Sequence, residues 1–407
     1  MTTATDTHPD SQNLRDRMVD QLIADGHITT DEVAAAFRAV PRERFTPDKL
    51  GLDHAYDANQ SPVTKRNERG QAMSSVSAPW LQARMIEQAH IREGMRVLEI
   101  GSGGYNAALL AEVVGPAGQV VTVDIDAEIT DRAANRLAET GYSRIRVLQA
   151  DGNRHIPGET TFDAIIVTVG AWDIAPSWLD HLRHDGILVL PLIMGGITRS
   201  IAFRRDGTQL VSLSAEVCGF VAMQGDGEHP DDEVVLDDPP NASVVLHFDG
   251  PPHADHALAA DVLATEPVDV WTGETIAHKV SWADMYLWFA SYMPGFCRIT
   301  AADDSRLRTA GKFFFPYGNA HAQSLAVFII RNLDDDSGAE WGARGYGPNP
   351  QHAAADMVDQ IQQWNRTAGT LRPPTFTYVP GPAYATSTEP RTAALAKTNG
   401  TLLIHWM

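Results

Sequence analysis

Two cysteines in 407 residues, Cys218 and Cys297, are too few and too far apart for a disulfide framework or a structural zinc set. That scarcity fits a reducing compartment, and the expected location is the cytoplasm. Long apolar runs are missing too. None approaches the ~20 residues that cross a bilayer, and no early basic-then-apolar segment suggests a signal peptide. Basic residues are outnumbered, 32 Lys and Arg against 52 Asp and Glu, for a formal charge of −20. A phosphate backbone needs a basic face, so neither a nucleic-acid duplex nor a membrane is expected as a partner. What the chain does have is apolar residues, 43% of the total, enough for a sizeable core and more than one domain.

Taken in order, residues 1–12 are polar with little to bury and are expected to be disordered. Leu14, Met18, Leu22 and Ile23 then recur at helical spacing, and Thr29-Thr-Asp-Glu32 has the form of a capping box before a second helix that Pro41 stops. Residues 45–77 read as a long ordered loop, the kind that is often functional. Pro79 suits the first turn of a helix carrying Leu81, Met85 and Ile86, which puts Ser77 and Ala78 at its N-terminal mouth. Short runs rich in Val, Ile and Leu follow at 96–100, 119–123, 145–149, 162–168 and 187–192, with helical segments between them. That alternation predicts a parallel sheet covered on both faces, with ligands at the carboxyl ends of its strands. Two further strands at 201–204 and 210–217 close the unit.

Near Gln224 the composition shifts to an acidic, proline-bearing stretch. A first domain at 13–225 carrying the alternating strands and helices, a linker at 226–241 and a second, α+β domain at 242–407 are the expected division. In the second domain 242–248, 311–315, 325–330 and 401–406 read as strands, and 254–263, 282–292 and 351–364 as helices. The aromatic helix holding Trp282, Met285, Tyr286, Trp288 and Phe289 has the pattern of core, with a wall for a bulky peptide as the other use.

Chemistry concentrates at Arg96-Val-Leu-Glu-Ile-Gly-Ser-Gly-Gly-Tyr105. Gly101 and Gly103 can take strained dihedrals and let a ligand lie against backbone N–H groups at a helix start. Such turns serve nicotinamide, flavin and adenosyl-methionine sites alike. Asp124 ends the next strand about 20 residues on, the spacing at which a carboxylate accepts both ribose hydroxyls of a nucleotide. Asp151-Gly152 ends the strand after that, where an acid can accept from an adenine amino group. Together these anchors narrow the ligand to an adenosyl cofactor. His229-Pro-Asp-Asp-Glu233 with His253 and His256 superficially resembles a zinc deacetylase signature, but a glycine-rich connector stands where the motif needs a buried strand. The acids at 334–336 lack the glycine and glutamate of a calcium loop. No metal is expected.

Leu98-Glu-Ile-Gly-Ser-Gly103, Asp124, Ala150-Asp-Gly152, Phe162-Asp-Ala-Ile165 and His184-Asp-Gly-Ile-Leu-Val-Leu-Pro191 together resemble the protein L-isoaspartyl O-methyltransferases. Val40-Pro-Arg-Glu-Arg-Phe-Thr-Pro47, Ala55-Tyr56 and Ser75-Val-Ser-Ala-Pro79 resemble the family's N-terminal signature. The resemblance runs from about Leu14 to Gln224. It implies a seven-stranded, Rossmann-like methyltransferase sheet with an N-terminal helical cap, and S-adenosyl-L-methionine as cofactor. On it, the candidate cofactor residues are Glu99, Gly101, Ser102, Gly103, Asp124, Ile125, Asp151, Gly152 and Thr168. Ser77, supported by Ser75, is the candidate donor that orients the reacting carboxylate, and Ser77, Ala78, Pro79, Val169 and Trp172 are the candidate substrate contacts.

The chain departs from the family pattern at four places: Tyr105 stands where a third glycine is common, Ser75 where a threonine is, and Trp172 where a small residue is, while residues 65–73 are longer and more charged. The added C-terminal part resembles the subset encoded beside ribosomally made peptides such as lanthipeptides and graspetides, including the FxLD-system methyltransferases. That resemblance implies methylation of an aspartate in a modified precursor peptide, followed by collapse to a succinimide or isoaspartate. Repair of isoaspartyl residues in damaged proteins and a non-catalytic peptide binder are the alternatives. Oligomeric state is left open.

Overall fold

The computed structural model describes residues 9–238, 242–249, 258–276, 282–309, 314–333, 338–368, 372–384 and 386–406. The N-terminal cap is built from α1 (Pro9–Ala24), α2 (Asp31–Ala39) and the short α3 (Leu52–Ala55), followed by a hairpin of β1 (Val63–Arg66) and β2 (Ala72–Ser75) and by α4 (Pro79–Gln88). Helix α1 starts at Pro9 rather than after residue 12. Ser11, which read as part of a polar tail, is buried and donates to Glu43 Oε1 at 2.6 Å. The expected capping box at α2 is not formed. Glu87 of α4 takes its place, its Oε1 accepting from the N–H groups of Thr29 and Thr30 at 2.7 and 2.9 Å.

Then come β3 (Arg96–Ile100), α5 (Tyr105–Val114), β4 (Gln119–Asp124), α6 (Ala127–Glu139), β5 (Arg146–Gln149), β6 (Phe162–Val167), α7 (Pro176–His181), β7 (Leu182–Met194), β8 (Ile197–Asp206) and β9 (Gln209–Val217). Strands β5, β4, β3, β6 and β7 pair in parallel, and β8 and β9 continue the sheet antiparallel. The parallel strands are apolar on both faces because both are covered: Leu98 and Ile100 pack into one layer of core, and Val97 into the other.

The C-terminal part holds β10 (Asp232–Asp238), β11 (Ala242–Phe248), β12 (Val268–Ile276), α8 (Trp282–Tyr292), β13 (Phe296–Ala301), α9 (Arg306–Thr309), β14 (Tyr317–His321), β15 (Ser324–Asn332), β16 (Ala339–Tyr346), α10 (Pro350–Ala368), β17 (Thr375–Pro380), β18 (Thr392–Ala396) and β19 (Gly400–His405). Seven of these strands form an antiparallel sheet in the order β10-β11-β13-β14-β15-β16-β12. The acidic stretch expected as linker is therefore partly an edge strand, with Leu236 buried and its neighbours Val235 and Asp237 exposed. Of the expected helix at 254–263, residues 254–257 lie outside the described residues and 258–263 form no α-helix, only a turn leading into the 3-10 helix at 262–264; of the expected strand at 311–315, residues 311–313 lie outside the described residues and Phe314 and Phe315 belong to no strand.

A larger correction concerns the domain division. Strands β17, β18 and β19 leave the second sheet and extend the first, which has ten strands, not seven, in the order β18-β19-β17-β9-β8-β7-β6-β3-β4-β5. An uncovered β9 would present a row of free N–H and C=O groups. Instead β17 pairs with it at Tyr378–Leu210. Phe376, Tyr378, Leu402 and Ile404, alternating along their strands, are buried in one core with Phe203 and Leu210. Trp288 of α8, Trp364 of α10 and Trp406 form a three-indole seam between the two sheets, with ring centres 5.4–5.9 Å apart. The aromatic helix is thus mostly core, with Trp282 exposed at one end.

Candidate functional site

The carboxyl ends of β3, β4, β5 and β6 open into one pocket. Of the expected cofactor residues, Gly101, Ser102, Gly103, Asp124, Ile125, Asp151, Gly152 and Thr168 line it. Ser75 and Val169 join them, as do Met73, Ser74, Asp126, Asn153 and residues 221–224, which the sequence did not name as site residues.

Gly101 has φ +96°, and a Cβ there would sit 2.5 Å from Thr168 Oγ1. Thr168 is held in that position, its hydroxyl 2.9 Å from Gly101 O and its N–H donating to Ile100 O at 2.7 Å. The second left-handed glycine is Gly104 (φ +85°), under the ring of Phe45, and not Gly103. At Gly103 the space a Cβ would take is open, with Ser75 O the nearest atom at 3.9 Å. The turn therefore has one glycine for close packing on β6 and one that leaves room for a ligand. Gly152 is needed because a Cβ would meet Ile100 Cγ2 at 2.5 Å.

Asp124 accepts from the N–H groups of Ser102 (2.9 Å) and Asp126 (3.0 Å), one on each oxygen. Burial raises its pKa, and these amides oppose the rise. Asp151 likewise accepts from Asn153 N–H and Asp226 N–H, both at 2.9 Å. A carboxylate oxygen has two acceptor sites, so each acid keeps capacity for a ligand's hydroxyls or amine. The buried Ser102 hydroxyl has no partner among the described residues. An adenosyl group fits this donor and acceptor set: Asp124 for the ribose hydroxyls, Asp151 for the adenine amine, and the open face of Gly103 for close approach.

Several expectations need correcting. Glu99 does not line the pocket; it lies beneath, fully buried, accepting from Thr122 Oγ1 at 2.5 Å, and burial raises its pKa to about 7. Its position on β3 turns it away from the layer of Leu98 and Ile100. Ser77, Ala78 and Pro79 stand beyond Ser75 and outside the lining. Ala78, not Ser77, is the N-cap of α4, so capping does not account for the Ser77 hydroxyl. Trp172 is also outside the lining. Its indole N–H donates to Asp249, its ring stacks on His229 at 3.8 Å, and Lys397 Nζ lies 4.2 Å from its centre. All three partners come from beyond Gln224, so Trp172 pins the C-terminal part to the loop after β6.

Tyr105 has a structural explanation. It is buried against Phe37 and Phe45, with the guanidinium of Arg42 5.0 Å from its ring centre. Arg42, itself fully buried, donates to Ala55 O (2.8 Å), Gln60 O (3.0 Å) and Gln82 Oε1 (3.0 Å), with Val76 O at 3.5 Å. It thereby ties the loop that carries Ser75 and Ser77 to the helix after the glycine turn. Its place in the Pro41-Arg42 signature was the available signal. Among the described residues no group of three His, Cys, Asp or Glu is placed to hold a metal, and no helix is long and apolar enough to cross a membrane; His253, His256 and 334–336 lie outside those residues.

A glycine turn followed by acids at the next two strand ends, on a doubly wound sheet with antiparallel strands on one side, defines an adenosyl-methionine-dependent methyltransferase. Comparison with known proteins agrees. The family model for protein-L-isoaspartate(D-aspartate) O-methyltransferase matches residues 12–228. The protein-L-isoaspartate O-methyltransferase of Ignicoccus hospitalis is 40% identical over 176 residues, covering 43% of this chain and 80% of the relative. That of Hyperthermus butylicus is 38% identical over 223 residues, 52% of this chain and 89% of the relative. A solved protein-L-isoaspartate O-methyltransferase structure superposes with a TM-score of 0.51 at 19% identity, covering 97% of this chain and 99% of its own, a likeness of fold that includes the C-terminal part. The chain belongs to the protein-L-isoaspartate O-methyltransferase family, carboxyl O-methyltransferases that use S-adenosyl-L-methionine.

Proposed function

We propose that the protein esterifies the side-chain carboxylate of an aspartyl residue in a ribosomally synthesised, modified peptide, and that it does so in the cytoplasm. The observation that carries this reading is the seam at Trp172: the loop after β6, whose Thr168 and Val169 line the pocket, is held by His229, Asp249 and Lys397 of the C-terminal part. Substrate selection is thereby coupled to the part of the chain beyond the family match.

Bound S-adenosyl-L-methionine supplies an electrophilic methyl group on a sulfonium. The acceptor carboxylate, with an ordinary pKa of about 4, is already ionised at neutral pH, so no strong general base is required. Asp124 and Asp151 would hold the nucleoside end, the open face of Gly103 would allow backbone contact, and Gly101 packs the turn against Thr168. Ser75, in the pocket wall, and Ser77, on the loop just beyond it, are assigned as the neutral donors that orient the carboxylate, which aligns attack without the desolvation cost of a second charge. Transfer joins an anion and a cation into two neutral products, so a water-poor pocket favours it. The ester then loses methanol when the following backbone amide nitrogen attacks, giving the five-membered imide. A constrained peptide that permits this turn is the preferred substrate.

Family membership and the names of the curated relatives favour a second reading, methylation of isoaspartyl residues in damaged proteins. Incubation with cofactor and, separately, an aspartyl peptide, an isoaspartyl peptide and the modified precursor encoded nearby distinguishes them by mass. Gain of methyl followed by loss of methanol on the precursor alone supports the first reading. Methylation of the isoaspartyl peptide alone supports repair, and cofactor binding with no methylation of any peptide supports a binder.

A further inference from the structure

The hairpin of β1 and β2 forms one rim of the cofactor pocket, bringing Met73, Ser74 and Ser75 to its wall. Each strand has four residues, and their pairing shifts register twice. An isolated ribbon of that kind is marginal in water. Its internal bonds, Thr64 Oγ1 to Ser74 Oγ at 2.9 Å and Arg66 to Gly70 O at 2.8 Å, do not attach it to the body of the protein. Val76 N–H to Pro62 O, at 2.9 Å, only closes its base.

Arg42 holds the base of the hairpin at Gln60 O and Val76 O, and beyond the base the attachment comes from Lys65. Its Nζ lies 2.6 Å from Asp126 Oδ2 and 2.7 Å from Glu128 Oε2. Glu128 is 74% exposed and contributes little, whereas Lys65 and Asp126 are 28% and 24% exposed. Asp126 is already committed on its other side. Its Oδ1 caps α6, accepting from Glu128 N–H at 2.9 Å, and its own N–H donates to Asp124 Oδ1 at 3.0 Å. One residue therefore links the ammonium of the rim to the carboxylate that would hold the ribose.

We infer that Lys65 is a positioning residue for methyl transfer: by pinning the hairpin to the N-terminus of α6 it closes the ribose side of the pocket and keeps Ser75 beside the glycine turn. This assigns a use to the charged stretch at 65–73, and it rests on the cofactor site, not on the identity of the peptide.

The test titrates S-adenosyl-L-homocysteine calorimetrically into the full chain and its Lys65→Met, Lys65→Arg and Asp126→Asn forms, at about 0.05 M and about 0.5 M salt, a range over which the screening length falls several-fold. Asn caps a helix as well as Asp does, so Asp126→Asn removes the ion pair and spares α6. Lys65→Met and Asp126→Asn are expected to weaken binding about five-fold at low salt, the size of a partly shielded pair, and to lose part of the salt dependence. Lys65→Arg restores both. Amide exchange at 63–75 in the cofactor-free protein is faster in Lys65→Met, with an unchanged melting temperature. Binding within two-fold of the parent with the same salt dependence overturns the proposal, as does weakened binding in Lys65→Met alone with Asp126→Asn unaffected. If the parent chain itself fails to bind, the cofactor assignment falls, and the exchange rates decide the hairpin's attachment separately: faster exchange in Lys65→Met sustains it, and equal exchange overturns it.

Discussion

The two halves of the first sheet are built by different rules. Its parallel half, β5 to β7, comes from one continuous stretch of chain, and the strand ends there carry the acids and glycines of the cofactor pocket. Its antiparallel half borrows β17, β18 and β19 from the far end of the chain and carries no pocket residue on those three strands. One half binds and the other covers an edge. Changes in the first are therefore expected to alter affinity in a folded protein, and changes in the second to alter folding itself.

The strongest challenge to that contrast is truncation after Gln224. If the C-terminal part were a separable domain, the remainder would fold and bind cofactor. Because Phe376, Tyr378, Leu402 and Ile404 complete its core, we expect loss of a cooperative melting transition in circular dichroism and recovery mainly as aggregate. Gly101→Ala, in the parallel half, should leave a cooperative transition. It forces a side chain onto φ +96° and into Thr168 Oγ1, so S-adenosyl-L-homocysteine affinity is expected to fall roughly 10- to 100-fold by calorimetry.

Glu99 gives a pH test of the same half. Its folded pKa, about 7, lies above its ordinary value of 4.5, so between those values the native state holds a proton that the unfolded state releases. Stability falls as pH rises through that window, by up to the order of 3 kcal/mol. Denaturant melts from pH 4 to 8 should show the decline in the parent and its reduction in Glu99→Gln, which keeps an acceptor for Thr122. The smallest effect is expected at the cap. Glu87→Ala should cost about 1 kcal/mol in the same melts without changing cofactor affinity, since it removes only the acceptor for Thr29 and Thr30.

What could be read from sequence follows the same division. Strands β3, β4 and β6 are continuous apolar runs whose neighbours in the sheet are near in sequence, and the spacing of Asp124 and Asp151 from Gly101 reports their shared edge directly. Strand β10 was hidden because Asp232, Glu233 and Asp237 look like linker, although an edge strand can place acids on its open side. The β1–β2 hairpin lacks an apolar face. Residues 401–406 read as a strand, but nothing local shows that with β17 and β18 they extend the first sheet. Arg42 acts through hydrogen bonds 13 to 40 residues distant and Lys65 meets Asp126 at a distance of 61 residues, where pattern and propensity carry no information. Trp172 was noticed as unusual, yet its partners could be identified only in three dimensions.

The borrowed strands also set a schedule for synthesis. Strand β17 is made more than 150 residues after β9 ends, so a nascent chain carries the outer edge of β9, the one away from β8, unpaired for roughly ten to thirty seconds at usual elongation rates. Throughout that interval Leu210 and the backbone beside it have no native cover, and the emerging antiparallel sheet competes for the same edge. Ribosome pausing between the two strands would lengthen the exposure, making production of this enzyme sensitive to translation speed and to chaperones that hold open strand edges.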